Sequence, residues 1–231
     1  MLDDPQDAEP VLRPWSWRRR ALTVAGCLLF LAASILWLDR PIAWRVGHPR
    51  GIWHAVSLLR HVISIGLDAL LALLLLSLFE LVRALAAAMR GAAVARSARA
   101  VILAGLSATA TIVLNDLVLK PVFSRYTIDY FLSSSGLYGF RFFGGDITSS
   151  FPSGHAGLVA SYFFVLQAFY PHRRALWLSI AGLAFAGLVA AQWHFLSDIA
   201  AGAMTGSAVA VSVLRLVPRI AGGRGRGQSR R

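Results

Sequence analysis

Six long apolar runs constrain this chain more than any other feature: residues 21–38, 62–82, 100–119, 153–170, 175–193 and 199–217. In hydrocarbon every backbone N–H and C=O must find its partner within the protein, which leaves helices and closed barrels as spanning structures. A helix needs about 20 residues to cross a core of about 30 Å, and each run approaches or meets that length. A hydrophobic content of 57% and a mean hydropathy of +0.62 exceed what a soluble domain of this size needs to fill a core. The chain therefore reads as an all-α integral membrane protein, a six-span transmembrane helix bundle. Residues 1–20 form a cytoplasmic N-terminal segment, 21–217 the bundle and 218–231 a basic cytoplasmic tail.

The basic residues orient the bundle. With the N-terminus inside, 16 Lys and Arg fall on inner segments and seven on outer ones (Arg40, Arg45, Arg50, Arg60, Lys120, Arg125 and Arg141). That bias places both termini in the cytoplasm. The segments 120–152 and 194–198 then face the opposite side together, in a bacterial inner membrane the periplasm. The net charge of +12 is spread around the apolar spans rather than gathered into one stripe, which argues against nucleic acid as a partner. The bilayer itself is the expected partner, with the Gly/Arg tail drawn to anionic headgroups. Cys27 is the single cysteine, so no internal disulfide forms.

Between the spans, 39–60 reads as an interfacial segment in which Trp44, Trp53 and His54 alternate with arginines. Residues 84–99 read as a short amphipathic helix on the inner side. Residues 121–152 form the one long loop, and loops of that length in compact proteins often carry function. Three acids lie in or near spans. Glu80 can pair with Arg83, and Asp116 with Lys120, each about one helical turn apart. Asp68 is either a functional residue or the acceptor of a hydrogen bond inside the bundle.

Two short stretches carry chemistry. His194 and Asp198 stand at i and i+4, so on a helix they share a face. The carboxylate can then hold one imidazole nitrogen and leave the other nitrogen's lone pair free to attack, although a plain surface pair has the same spacing. A metal site built on these residues would lack ligands. Pro152-Ser153-Gly154-His155 follows a Ser- and Gly-rich loop and opens the fourth span. Unpaired N–H groups at that helix N-terminus suit a phosphate, and Ser153 can equally serve as an N-cap. His155 sits where it could protonate a departing oxygen.

Phe140, the run Ser149-Ser150-Phe151-Pro152-Ser153-Gly154-His155-Ala156, and His194-x-x-x-Asp198 followed by Ala201-Gly202 together resemble the type 2 phosphatidic acid phosphatase superfamily. The resemblance covers about residues 114–210. It implies His194 as nucleophile forming a phosphohistidine, Asp198 as its orienting partner and His155 as general acid and then base. It further implies Lys120, Ser153 and Gly154 as phosphate ligands, with no metal or other cofactor. The family's first motif is Lys, six residues, then Arg-Pro; here Lys120 is followed at that distance by Thr127-Ile128. The third motif opens with Ser-Arg, and Gly187-Leu188 stands there instead. Arg125 is expected to take over the anion clamp, with Arg141, Gln192 and Tyr126 as further candidates.

The expected function is hydrolysis of a lipid phosphomonoester or diphosphate at an extracytoplasmic active-site loop. Two alternatives remain open at this level: phosphoryl transfer to another acceptor through the same intermediate, and a non-catalytic protein that binds or transports lipid.

Overall fold

A computed structural model describes residues 16–47, 53–133 and 136–221, and among these the secondary structure is helical apart from one isolated β-bridge between Arg125 and Phe140. The expectations for residues 1–15, for Arg50 and for the tail from Gly222 lie outside the described residues. Helix α1 runs Trp17–Gly47 and is capped by Ser16, whose hydroxyl accepts from the Arg19 N–H at 3.4 Å. It contains a π-helical turn at Ser34–Leu38. Helix α2 covers Trp53–Met89 and α3 covers Arg96–Phe123, the latter with a π turn at Leu114–Leu119. A short helix α4 spans Ile128–Leu132. The last three helices are α5 (Gly154–Phe169), α6 (Arg174–Ala190) and α7 (Leu196–Ala221).

Among the described residues, five helices are long and apolar enough to cross a membrane: α1, the Arg60–Met89 part of α2, α3, α6 with its preceding turn, and α7 up to Leu216. The fourth apolar run of the sequence differs from expectation. It forms the 16-residue α5, about 24 Å long at 1.5 Å per residue, shorter than the hydrocarbon core. Its surroundings explain the length. Most of α5 is buried, and it packs chiefly against α7 and α3, so protein rather than lipid sets what it must span.

Close helix approach makes that arrangement possible. A Cβ on Gly206 would strike the backbone of Gly157, and one on Gly202 the Ser153 carbonyl. A Cβ on Gly157 would sit 2.6 Å from Asn115 Nδ2. Small residues at four-residue spacing let helix backbones meet without a hydrophobic driving force. On α3, Ala100, Ala104 and Ala108 supply the matching fully buried stripe. Gly206→Ala is therefore expected to destabilise the protein by about 1–3 kcal/mol, because backbone cannot retreat as a side chain can. Gly182→Ala on α6, where a Cβ meets nothing within 4 Å, is the control. Thermal unfolding in detergent compares the two, and equal midpoints would contradict the close-crossing account.

Two connections also differ from the sequence reading. Residues 39–47 continue α1 and 53–60 begin α2, so the interfacial segment is largely two helix ends. Likewise, 84–89 extends α2, whose 37 residues reach about 55 Å, instead of forming a separate amphipathic helix. Gly91, with φ of +73°, ends that extension, and α3 begins five residues later. The Glu80–Arg83 and Asp116–Lys120 pairs form at 2.8 Å each. Asp68 lies on an exposed face of α2, outside the bundle interior where a hydrogen bond was one expectation.

Candidate active site

Both sequence motifs end up at one end of the bundle because the chain reverses there between α6 and α7 and enters α5 there. At α5, Ser153 is the N-cap: its Oγ accepts from the Ala156 N–H at 3.2 Å. Its own N–H donates to the Asp198 carbonyl at 3.0 Å, and its carbonyl accepts from Asn115 Nδ2 at 3.3 Å. Ser153 is thus fully buried and spent on joining α5 to α7 and α3, while Gly154 reaches the adjoining cavity. Asp116, in the π turn of α3, brings a carboxylate oxygen to 2.9 Å from where a Gly154 Cβ would be.

His194 is set by a different device. After α6 the backbone turns at Gln192, a non-glycine residue with φ of +58°. The Gln192 side chain is held on both sides: Arg60 Nη2 donates to its Oε1 at 3.0 Å and its Nε2 donates to the Val46 carbonyl at 2.7 Å. This strained turn presents Trp193 and His194, and α7 then starts at Leu196. Asp198 Oδ2 accepts the Phe195 N–H at 3.0 Å, a carboxylate in the first turn closing back on the cap. Oδ2 also lies 3.8 Å from His194 Nδ1, just beyond hydrogen-bond reach.

The rings of His155 and His194 are 5.8 Å apart between centres and tilted by 57°. Both line a cavity of about 450 Å³, with Gly154, Lys120, Asp116, Trp193, Thr127, Asp129, Thr148, Ser149 and Ser150 on its polar walls. Leu70, Leu71 and Leu74 of α2, Ile112 of α3 and Leu158 of α5 form its apolar wall. Lys120 is the cationic side chain of that lining, and Asp116 holds its ammonium at 2.8 Å. Among the described residues no group of three or more His, Cys, Asp or Glu is placed to hold a metal ion.

Neither expected arginine reaches the cavity. Arg125 is fully buried behind Asp198, donating from Nη1 to Asp198 Oδ1 at 2.5 Å and to Ser197 Oγ at 2.6 Å, and from Nη2 to Asp39 Oδ2 at 2.8 Å. Its guanidinium lies 4.4 Å from the Phe195 ring centre and 4.9 Å from those of Tyr138 and Phe140. Burial works against its positive charge, but Asp198 and Asp39 outweigh that and raise its pKa further. Where an anion clamp was expected, Arg125 is instead committed to two buried carboxylates, whose geometry suits its rigid fork of donors. Arg141 stands over the Tyr126 ring at 4.7 Å and pairs with Asp146 at 2.9 Å. Asp146 is further held by the Thr148 hydroxyl, which lowers its pKa below the usual carboxylate value. Gln192 is committed to Arg60 and Val46, and Tyr126 packs beneath Arg141.

One participant escaped sequence reading. Asp39, fully buried at the end of the π turn in α1, accepts the Ser197 N–H at 2.9 Å on Oδ1 and the Ser197 hydroxyl at 2.5 Å on Oδ2. The Tyr138 hydroxyl shares its one proton between the Ile35 carbonyl at 2.8 Å and Oδ2 at 3.1 Å. Burial pushes the Tyr138 phenol up to about 12, so it keeps that proton. The signal was present: an aspartate directly closing an apolar run is costly unless it has buried partners.

The comparison with known families bears on this geometry. The sequence model of the PAP2 superfamily matches residues 98–221, over half of the chain. The chain belongs to the PAP2 superfamily. Its members are generally phosphatases acting on phosphate esters, and the match spans Lys120, His155, His194 and Asp198. It begins near the start of α3, so Asp39 on α1 lies outside it. No curated protein and no solved structure matched this PAP2 member.

Proposed function

We propose that this protein is a membrane lipid phosphate phosphatase that works through a phosphohistidine. The observation that carries the reading is one cavity shared by two imidazoles 5.8 Å apart, a helix N-terminus at Gly154 and a wall of leucines on membrane-length helices. A phosphate would sit between the rings while an acyl or prenyl chain follows Leu70, Leu71 and Leu74. Phe142 and Phe143, exposed on the loop between α4 and α5, suit the headgroup boundary.

The chemistry follows from the positions. The free ring nitrogen of His194 attacks phosphorus as the bond from phosphorus to the lipid oxygen breaks, and His155 gives that oxygen its proton. His155 then takes a proton from water as the water oxygen attacks phosphorus, the N–P bond breaks and inorganic phosphate leaves. Asp198 faces Nδ1, so it stabilises the positive charge that His194 acquires. The charge bias of the sequence supports both termini inside and the site on the extracytoplasmic side.

The test is phosphate release by purified protein from a panel of lipid phosphomonoesters and diphosphates, with trapping of an acid-labile, base-stable phosphoprotein. Turnover without such a species would exclude the mechanism. Label passing to a second lipid or a sugar instead of water would make the enzyme a phosphotransferase. Binding with neither product would leave a lipid-binding role. The cavity's electrostatics give a second prediction. Asp116 neutralises Lys120, so Asp116→Asn is expected to lower KM by roughly tenfold, one charge-assisted hydrogen bond to phosphate being freed. An unchanged or raised KM would show that the carboxylate does not compete with substrate.

A further inference from the structure

The buried cluster behind His194 is more than a fold lock. We infer that Asp39 and Arg125 are positioning residues for the His194–Asp198 pair, and that Asp39 sets the charge this pair presents to the reaction. The inference rests on the His194 nucleophile proposed above.

Arg125 occupies Oδ1 of Asp198, and the Phe195 N–H occupies Oδ2 from one side. The carboxylate is therefore fixed with Oδ2 turned towards His194 Nδ1, 3.8 Å away. Fixing it this way has an electrostatic consequence. An Asp198–Arg125 pair alone is neutral overall and would do little for an imidazole that turns positive. Asp39, 2.8 Å from the same guanidinium, restores one net negative charge to the cluster. All three side chains are fully buried, so solvent screens that charge weakly. Ser197 completes the link: its N–H and hydroxyl both go to Asp39, which ties α1 to the first turn of α7 where Asp198 sits. When His194 attacks phosphorus its ring becomes cationic, and the net negative cluster favours that state.

Other charged or titratable groups share the cavity with His194: His155 on α5, Lys120 and Asp116 on α3 and Asp129 on α4; Arg60 on α2 is bonded to Gln192, two residues before His194, and Tyr138 in the loop to Asp39. Of these, Tyr138 is the one bonded to Asp39, and Tyr138→Phe separates its part from that of the Asp39 charge.

The test is Asp39→Asn in the full-length protein in detergent. The expected kcat falls roughly tenfold or more with KM within about twofold, since the substrate is not touched. The acid limb of the kcat profile moves to lower pH, because losing a nearby negative charge weakens proton binding by the nucleophile. A readout independent of phosphatase activity is acylation of histidines by diethyl pyrocarbonate, followed by peptide mass spectrometry. The pH midpoint of His194 labelling should move down in the variant, as the acid limb does, while labelling of His172, exposed at the far end of α5, keeps the wild-type pH dependence. If Asp39→Asn does not fold, Asp39→Glu and Tyr138→Phe replace it. The first should retain most activity and the original acid limb; the second should lower kcat with the limb unmoved, because the charge is intact. A folded Asp39→Asn variant with wild-type kcat, acid limb and His194 labelling would overturn the inference, as would an Asp39→Glu variant as impaired as the asparagine one. Absence of lipid phosphatase activity in the wild type would instead sink the proposed function, and the labelling result would still decide the role of Asp39.

Discussion

His194→Ala is expected to lower phosphate release by about 10³-fold or more on every lipid substrate and to abolish the phosphoprotein, since the nitrogen assigned to form the N–P bond is gone. His155→Ala separates the two imidazoles. It leaves the nucleophile intact, so its cost depends on the leaving group. A lipid alkoxide needs a proton as it departs, and its loss should slow phosphomonoester hydrolysis by about 10²–10⁴-fold. A lipid diphosphate releases a phosphate-stabilised oxygen that needs less help, so the same variant should be less impaired there. With slow dephosphorylation the phosphoprotein should then accumulate. Measuring both substrate types with both variants checks the assignment: equal losses for the two variants on a diphosphate, with no trapped intermediate, would contradict the division of roles. Both rings line one cavity, His155 from the first turn of α5 and His194 from the turn before α7, so neither substitution needs the backbone to move.

Arg125→Ala is expected to fail in a different way. A phosphate clamp would lose affinity and remain folded. Here the guanidinium stands between Asp39 and Asp198, with three aromatic rings around it and no exposure. Removing it leaves two carboxylates buried near each other without their cation. Breaking one partner out of a buried ion cluster costs about 3–5 kcal/mol. The variant should therefore show a large drop in unfolding midpoint and poor recovery from the membrane. Arg125→Lys keeps the charge but cannot reach both carboxylates with a planar fork, and should be intermediate. Thermal unfolding and KM on the same preparations decide it: a stable Arg125→Ala protein with a raised KM would restore Arg125 as a substrate ligand.

Helix positions were legible because burial in hydrocarbon demands long apolar runs: residues 21–38, 62–82 and 100–119 fall within membrane-length helices, and 175–193 and 199–217 overlap two more, the first running past Ala190 into the turn. The length of α5 was not legible, because a helix wrapped by α3 and α7 answers to its protein neighbours and not to the bilayer. Helix ends were misread at 39–60 and 84–99 for a related reason: polar residues at a boundary do not stop a helix that has partners to satisfy them. Asp39 is one such residue, bonded to Ser197, Arg125 and Tyr138.

The site divides in the same way. The spacing of Gly154-His155 and of His194-x-x-x-Asp198, with the parity of the helices between them, already brought these residues to one end of the bundle. Local sequence determines that much, since it depends on helix period and on the number of crossings. Where the arginines point depended on long-range pairing. Arg125 is 73 residues from Asp198 and 86 from Asp39, and only folding brings the two carboxylates to the guanidinium. A charged side chain follows the strongest available counter-charge in the least hydrated place, and that place exists only once α1, α7 and the loop have met.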